Sequence, residues 1–264
     1  MIRLLVFFAI AFSASTAGAI SGIGGGIIIK PLLDSSLLLS AGEINFLSGA
    51  AVLSMSIVSL LRLKKNGLRL EKKRGSALAA GAVAGGLSGK ELFNLALRLF
   101  PSSSLVGAVQ SAILLCLTAG VLFYTLNKKN ITPGNINNIP CCVLAGCLMG
   151  LLSAFLGIGG GPINIMVISW AFSMDSKNCA LHSLYTIFLS QAASLVLTLL
   201  SGRIPAVSPL ALAALAGGGI AGGLAGSEIS GRMRNEQVDK FFSAILGIVM
   251  LLSVYNFVRF IRAA

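Results

Sequence analysis

The residues best placed to do chemistry in this chain are glycines. Gly22-Ile23-Gly24-Gly25-Gly26 recurs at an offset of 135 as Gly157-Ile158-Gly159-Gly160-Gly161. Each glycine costs about 1 kcal/mol relative to alanine in a helix interior, so each run predicts a break. An apolar run follows each break, Ile27 to Leu39 and Pro162 to Ala171. Pro162 stands where a proline opens a helix without losing a hydrogen bond. The pattern predicts two half-helix N-termini, whose free N–H groups and partial positive charge favour an anion. Gly24, Gly25, Gly26, Gly159, Gly160 and Gly161 are therefore candidate substrate-binding residues. Lys30, just beyond the first run, could neutralise an anion, and Asn164, just beyond the second, could hydrogen-bond one. Gln191 completes the set, at the offset of 135 from Ser56. The competing reading is structural: glycines let helices pack closely, Lys30 snorkels, Asn164 caps broken backbone and Gln191 bonds between helices.

Other chemistries find little support. The single histidine, His182, reads as an ordinary hydrogen-bonded residue near a span end. Asp34, Glu43, Glu91, Asp175 and Glu228 map near one membrane face, so no buried acidic proton relay is expected. No HExxH, no paired aspartates and no Ser/His dyad at workable spacing occur, which argues against an enzyme. Cys116, Cys141, Cys142, Cys147 and Cys179 lie in or beside apolar segments without the spacing of a disulfide framework or zinc site. No cofactor or metal is expected. A transmembrane thiol relay carrying electrons, or an accessory membrane protein without transport of its own, are the alternatives to a permease.

The elements that position these residues follow from composition. Of 264 residues 56% are hydrophobic and only 11% charged, against about 25% charged in soluble domains. Crossing a hydrocarbon core of about 30 Å takes about 20 apolar residues in a helix. Charge-free intervals predict about eight transmembrane helices, near 4–28, 43–61, 75–95, 105–126, 140–164, 181–201, 206–226 and 241–261. The fold class expected is an all-α polytopic membrane protein with broken helices at the two glycine runs. Polar–apolar alternation is absent, which excludes an outer-membrane barrel.

A second repeat supports the first. Ala84-Gly85-Gly86-Leu87-Ser88-Gly89-Lys90-Glu91 is echoed by Ala221-Gly222-Gly223-Leu224-Ala225-Gly226-Ser227-Glu228, an offset of 137. There the four-residue glycine spacing reads as helix contacts. The chain is expected to be two four-span repeats, 1–130 and 131–264, forming one membrane domain. Four spans per half would make the repeats parallel, unless a glycine segment turns back and changes the count. The N-terminal apolar run is read as a span rather than a cleaved signal peptide, because its counterpart recurs in mid-chain. Eight spans would put Arg3, the run from Arg62 to Arg74, Lys128, Lys129, Arg203, Arg259 and Arg262 on one side. Both termini are then expected to be cytoplasmic. The basic run reads as a topology signal beside anionic lipid, so the pI of about 10.0 does not argue for nucleic acid.

A GxGGG element near the start of each of two similar halves, in a chain of this length, resembles the sulfite exporter TauE/SafE family of membrane permeases. The resemblance covers essentially the whole chain. Pro31 fits the family's habit of a proline shortly after the glycines, whereas the second copy departs, with Pro162 directly after them. The resemblance implies movement of small anions, especially sulfite, sulfonates and related organosulfur compounds, across the cytoplasmic membrane; a coupling proton or ion is left open as a further partner. Substrate, direction and oligomeric state stay open.

Overall fold

The computed structural model describes residues 2–263 except 37–38, 66–67, 69, 101, 137 and 203, and only the backbone of 36, 103 and 129. All regular structure described is helical. The order is α1 (Ile2–Ser21), α2 (Gly26–Ser36), α3 (Ala41–Lys65), α4 (Lys72–Leu99), α5 (Ser103–Asn127), α6 (Ile139–Leu156), α7 (Pro162–Phe172), α8 (Ser176–Leu200), α9 (Pro209–Arg232) and α10 (Asn235–Arg262). Seven of these are long and apolar enough to cross a membrane: α1, α3, α5, α6, α8, α9 and α10. The chain is a polytopic helical membrane protein. α4 is as long as α10 at 28 residues, but Lys90, Glu91 and its many glycines and alanines lower its hydropathy.

Both glycine runs break the backbone in the same way. Gly22 and Gly157 take φ of 76° and 67°, and Gly24 and Gly159 take 81° and 67°, a left-handed region that glycine enters without steric cost. After each break a short helix of 11 residues begins, α2 and α7. These short helices turn back: Gly25 lies against Ser15 and Gly18 against Gly24 and Gly25, while the Gly134 and Ile136 amides, just ahead of α6, donate to the Trp170 and Ala171 carbonyls at the end of α7. Each glycine run therefore adds a reversing element.

That reversal corrects the expected direction of the halves. Gly49, early in α3, faces Gln191, late in α8. Ile57, Leu60 and Leu61 of α3 share a cleft with Leu181, Tyr185 and Phe188 of α8. The two helices run antiparallel. So do α5 and α10, since Gly107 meets Phe260 and Lys128 approaches Asp239 at 3.9 Å. Helices at matching positions of the two halves thus run in opposite directions rather than in parallel.

The closest packing joins one half to the other. Gly81, Gly85 and Gly89 of α4 lie against Val143, Cys147 and Leu151 of α6. Gly218, Gly222 and Gly226 of α9 lie against Phe8, Phe12 and Thr16 of α1. Absent side chains let these backbones meet, as small residues do where lipid gives helices no hydrophobic reason to associate.

The corrected directions also redraw the two faces. The start of α1 and the end of α10 share a face with the starts of α3 and α9 and the ends of α4 and α8. The opposite face carries Arg62, Lys64 and Lys65 at the end of α3, Lys72, Lys73 and Arg74 at the start of α4, and Lys128, Lys177, Arg232 and Arg234. Arg62 pairs there with Glu228 at 3.3 Å, and Arg74 stacks over Phe172, 5.2 Å from its ring centre. The basic run therefore lies opposite the termini, not beside them as eight plain spans require.

Candidate functional site

The two breaks meet at the centre of the molecule. A Cβ on Gly26 would collide with the carbonyl of Ile158, and one on Gly160 would lie 3.2 Å from the carbonyl oxygen of Ile23. Val52 of α3 and Ile187 of α8, related by the same offset of 135, pack from either side. Gly24 meets both side chains, and Gly159 meets Val52 and Gln191. α2 and α7 thus start at this point and run towards opposite faces. Pro162 opens α7 as the sequence predicts, with Gly161 as its N-cap in extended backbone. The amides of Gly159, Gly160 and Gly161 have no acceptor among the described residues.

Polar side chains without partners gather at the second break. Ser153, Asn164 and Ser190 are 5%, 2% and 5% exposed, and Ser153 Oγ, Asn164 Oδ1 and Ser190 Oγ have no hydrogen-bond partner among the described residues. With Gly159, Gly160 and Thr186 they line a cavity of about 10 Å³. Such groups normally find partners when buried, and an orphan costs about 1–3 kcal/mol. Hydroxyls donate as readily as they accept, and turning the Asn164 amide presents either its carbonyl or its NH2 group. Beside this lies a larger cavity of about 170 Å³, lined by Asn45, Gly49, Lys90, Asn94, Gly157, Gly159 and Gln191 among others. Ser153 and Gly159 border both spaces. The larger cavity reaches the helix ends at Gly42, Leu97 and Pro205, on the face that holds the termini.

A family model described as sulfite exporter TauE/SafE matches residues 7–253. The chain belongs to this family. It is accordingly a multi-pass membrane protein of a transporter family. No curated protein and no solved structure matches it.

Among the residues singled out from sequence, the glycines of both runs, Asn164 and Gln191 converge on this centre. Lys30 does not. It lies one turn along α2, 4% exposed, with its Nζ 2.9 Å from Asp34 Oδ2 and 3.1 Å from Gln110 Oε1. Asp34, which the sequence places near a membrane face, is itself 7% exposed. The α2 hairpin carries it inward from the face where the sequence puts it.

The cation that borders the cavity is Lys90. Its Nζ donates to the Ser194 carbonyl at 3.1 Å and to Thr198 Oγ1, and it forms no ion pair among the described residues. Reading its segment as helix contacts hid it, although a lysine inside a span is itself a functional signal. Ser190, offered by the sequence beside Gln191 as a cavity residue, does line the cavity; Ser153 carried no signal, because hydroxyls are common in spans. His182 behaves as expected: one neutral tautomer serves both ring nitrogens, Nδ1 at 2.9 Å from the Asn178 carbonyl and Nε2 accepting from the Glu71 amide at 2.9 Å.

The two sides of the centre are not alike. Ser183 Oγ donates to the Gly22 carbonyl at 2.6 Å, on the side of the basic face. Its counterpart at the offset of 135 is Ser48, whose hydroxyl is buried without a partner. The break is tied down towards the basic face and untied towards the termini, where the cavity lies.

Proposed function

We propose that the chain is a permease moving a small anion, namely sulfite, a sulfonate or a related organosulfur compound, across the cytoplasmic membrane. The observation that carries this reading is the meeting of two half-helix starts, with amides that have no acceptor among the described residues and with buried hydroxyls, beside a cavity bordered by a lysine that has no ion pair among them. An anion leaving water needs donors and positive potential to offset its lost hydration. Gly159 to Gly161, Asn164, Ser153 and Ser190 supply donors; Lys90 attracts the anion, and Gln191 lines its path. Gly24 to Gly26 supply the second helix start. Lys30 acts on the site from behind, through Gln110.

The halves 1–130 and 131–264 are read as copies of one unit inverted in the membrane, the arrangement that serves alternating access in secondary transporters. In the opposite state Ser48 would bond the Gly157 carbonyl while Ser183 releases Gly22. The excess of Lys and Arg near short loops marks the cytoplasmic side, which places the end of α3 and the start of α4 inside and both termini outside. This replaces the expectation of cytoplasmic termini, which rested on a shared face. Counterflow of labelled sulfite and of labelled methanesulfonate into vesicles holding the purified protein tests the reading. Exchange above that of empty vesicles, lost in Gly160→Val but kept in Lys72→Ala, is expected. Absence of exchange for both probes refutes the substrate class.

A further inference from the structure

We infer that Asp34 is a proton-binding site through which a proton travels with the anion; the inference rests on the permease reading. Lys30 and Asp34 form a buried ion pair on α2. Burying such a pair rarely adds stability over apolar packing of the same volume. The fold itself supplies the comparison. At the offset of 135, α7 carries Ile165 and Ser169 in place of Lys30 and Asp34, and it packs without any charge there. The pair is not needed to build a half-helix at this position.

Its surroundings tie it to the transport centre. Lys30 Nζ donates to Gln110 Oε1, and Gln110 Nε2 donates at 2.5 Å to the carbonyl of Phe155. Phe155 lies in the last turn of α6, just before the second break, where helix carbonyls lack intrahelical partners. One chain of contacts therefore runs from Asp34 to the rim of the anion site. A cavity of about 10 Å³ touches Lys30, Asp34 and Gln110, room for about one water as a proton donor.

Among the described residues, Asp34 is the only acid bordering that cavity. The cavity is lined besides by Gln110, Ser111 and Leu114 of α5, Leu156 of α6, and Ser253 and Asn256 of α10. Asn256 bonds the Pro31 carbonyl, and Arg259 bonds the Ser35 carbonyl rather than the carboxylate. Of the other helices packed on α2, α1 carries its only charge at the exposed Arg3, and α3 carries Glu43, which accepts from the Ser40 amide. With Asp34 ionised, the Lys30 charge is cancelled. When the carboxylate takes a proton, Lys30 becomes an uncompensated cation beside the second break, and anion binding is favoured. Proton and monoanion then cross together without net charge.

Two readouts test this. In infrared difference spectra of the purified protein with and without methanesulfonate, a protonated-carboxyl band is expected, and Asp34→Asn removes it. The double variant Lys30→Ile with Asp34→Ser, patterned on α7, removes it too and leaves no unpaired buried charge that could spoil folding. In vesicles, an inward-directed proton gradient of about one pH unit should concentrate labelled methanesulfonate about tenfold. Both variants should only equilibrate it. A band that survives both variants, accumulation by the variants equal to wild type, or proton flow opposite to the anion overturns the inference. If no probe exchanges in wild type, the permease reading fails instead, and the infrared result alone decides the proton site.

Discussion

Gly26→Ala is the smallest change that probes the centre. The added Cβ would lie 2.7 Å from the Ile158 carbonyl carbon, closer still to its oxygen, and 2.9 Å from Val52 Cγ2, whereas ordinary contact begins at 3.4 Å. The start of α2 must retreat by at least the missing 0.7 Å, because a backbone carbonyl cannot swing aside as a side chain can. Overpacking of this kind costs about 1–3 kcal/mol of stability. Misplacing a binding group by about 1 Å costs about a hundredfold in rate where geometry is pre-set. The expected result is a protein that reaches the membrane, melts a few degrees lower and exchanges anion about a hundredfold more slowly. Counterflow per folded protein, with melting followed by tryptophan fluorescence of Trp170, measures both. Gly120→Ala is the control, since nothing lies within 4 Å of its Cβ position. If Gly26→Ala exchanges anion at the Gly120→Ala rate, the two breaks do not form the site.

Further outcomes follow from the same geometry. Lys90→Gln should raise the KM for anion about tenfold, the loss of roughly 1.5 kcal/mol of charge-assisted interaction, while Lys90→Arg retains most of the affinity; transport kinetics in vesicles measure this. Gly85→Leu should abolish the monodisperse peak in size-exclusion chromatography, because its Cβ would collide with the Cys147 carbonyl. Replacing all five cysteines by serine or alanine should leave counterflow intact, since they are free and spread over α5, α6 and α8; its loss would revive a thiol relay. In that cysteine-free background, a membrane-impermeant maleimide should label Ala263→Cys in intact cells and Lys72→Cys only after lysis. The reverse pattern would invert the orientation.

The glycine breaks were legible because their signal is local. Three adjacent glycines weaken a helix wherever they stand, and Pro162 marks where the next one begins. What the sequence could not report is the direction the chain takes after a break. A kinked span and a hairpin have the same composition, yet they differ by one in the count of reversals. From that single difference came the wrong side for Arg62 to Arg74 and the wrong mutual direction for the halves. Lys30 and Lys90 show the same limit. Both are lysines within apolar segments, and only the packing around them shows that one is neutralised by Asp34 while the other borders the cavity. Gln191 was found through its repeat partner and Ser190 as its neighbour, whereas Ser153 matters only because α4, α6, α7 and α8 enclose the cavity it lines.

The exchange of partners between the halves has a consequence for biosynthesis. α1 leaves the ribosome first, but the glycine face of α9 that it packs against begins about 190 residues later. At about 5–20 residues per second this is a wait of about 10–40 s. α4 likewise waits for α6, although for a shorter time. During this interval the small-residue faces of the first half are covered only by lipid, which neither holds them in register nor hides them from quality-control proteases. Contacts this distant in sequence also slow the final docking. A variant that weakens the α1–α9 seam should therefore lower the amount of protein recovered more than the melting temperature of what is recovered.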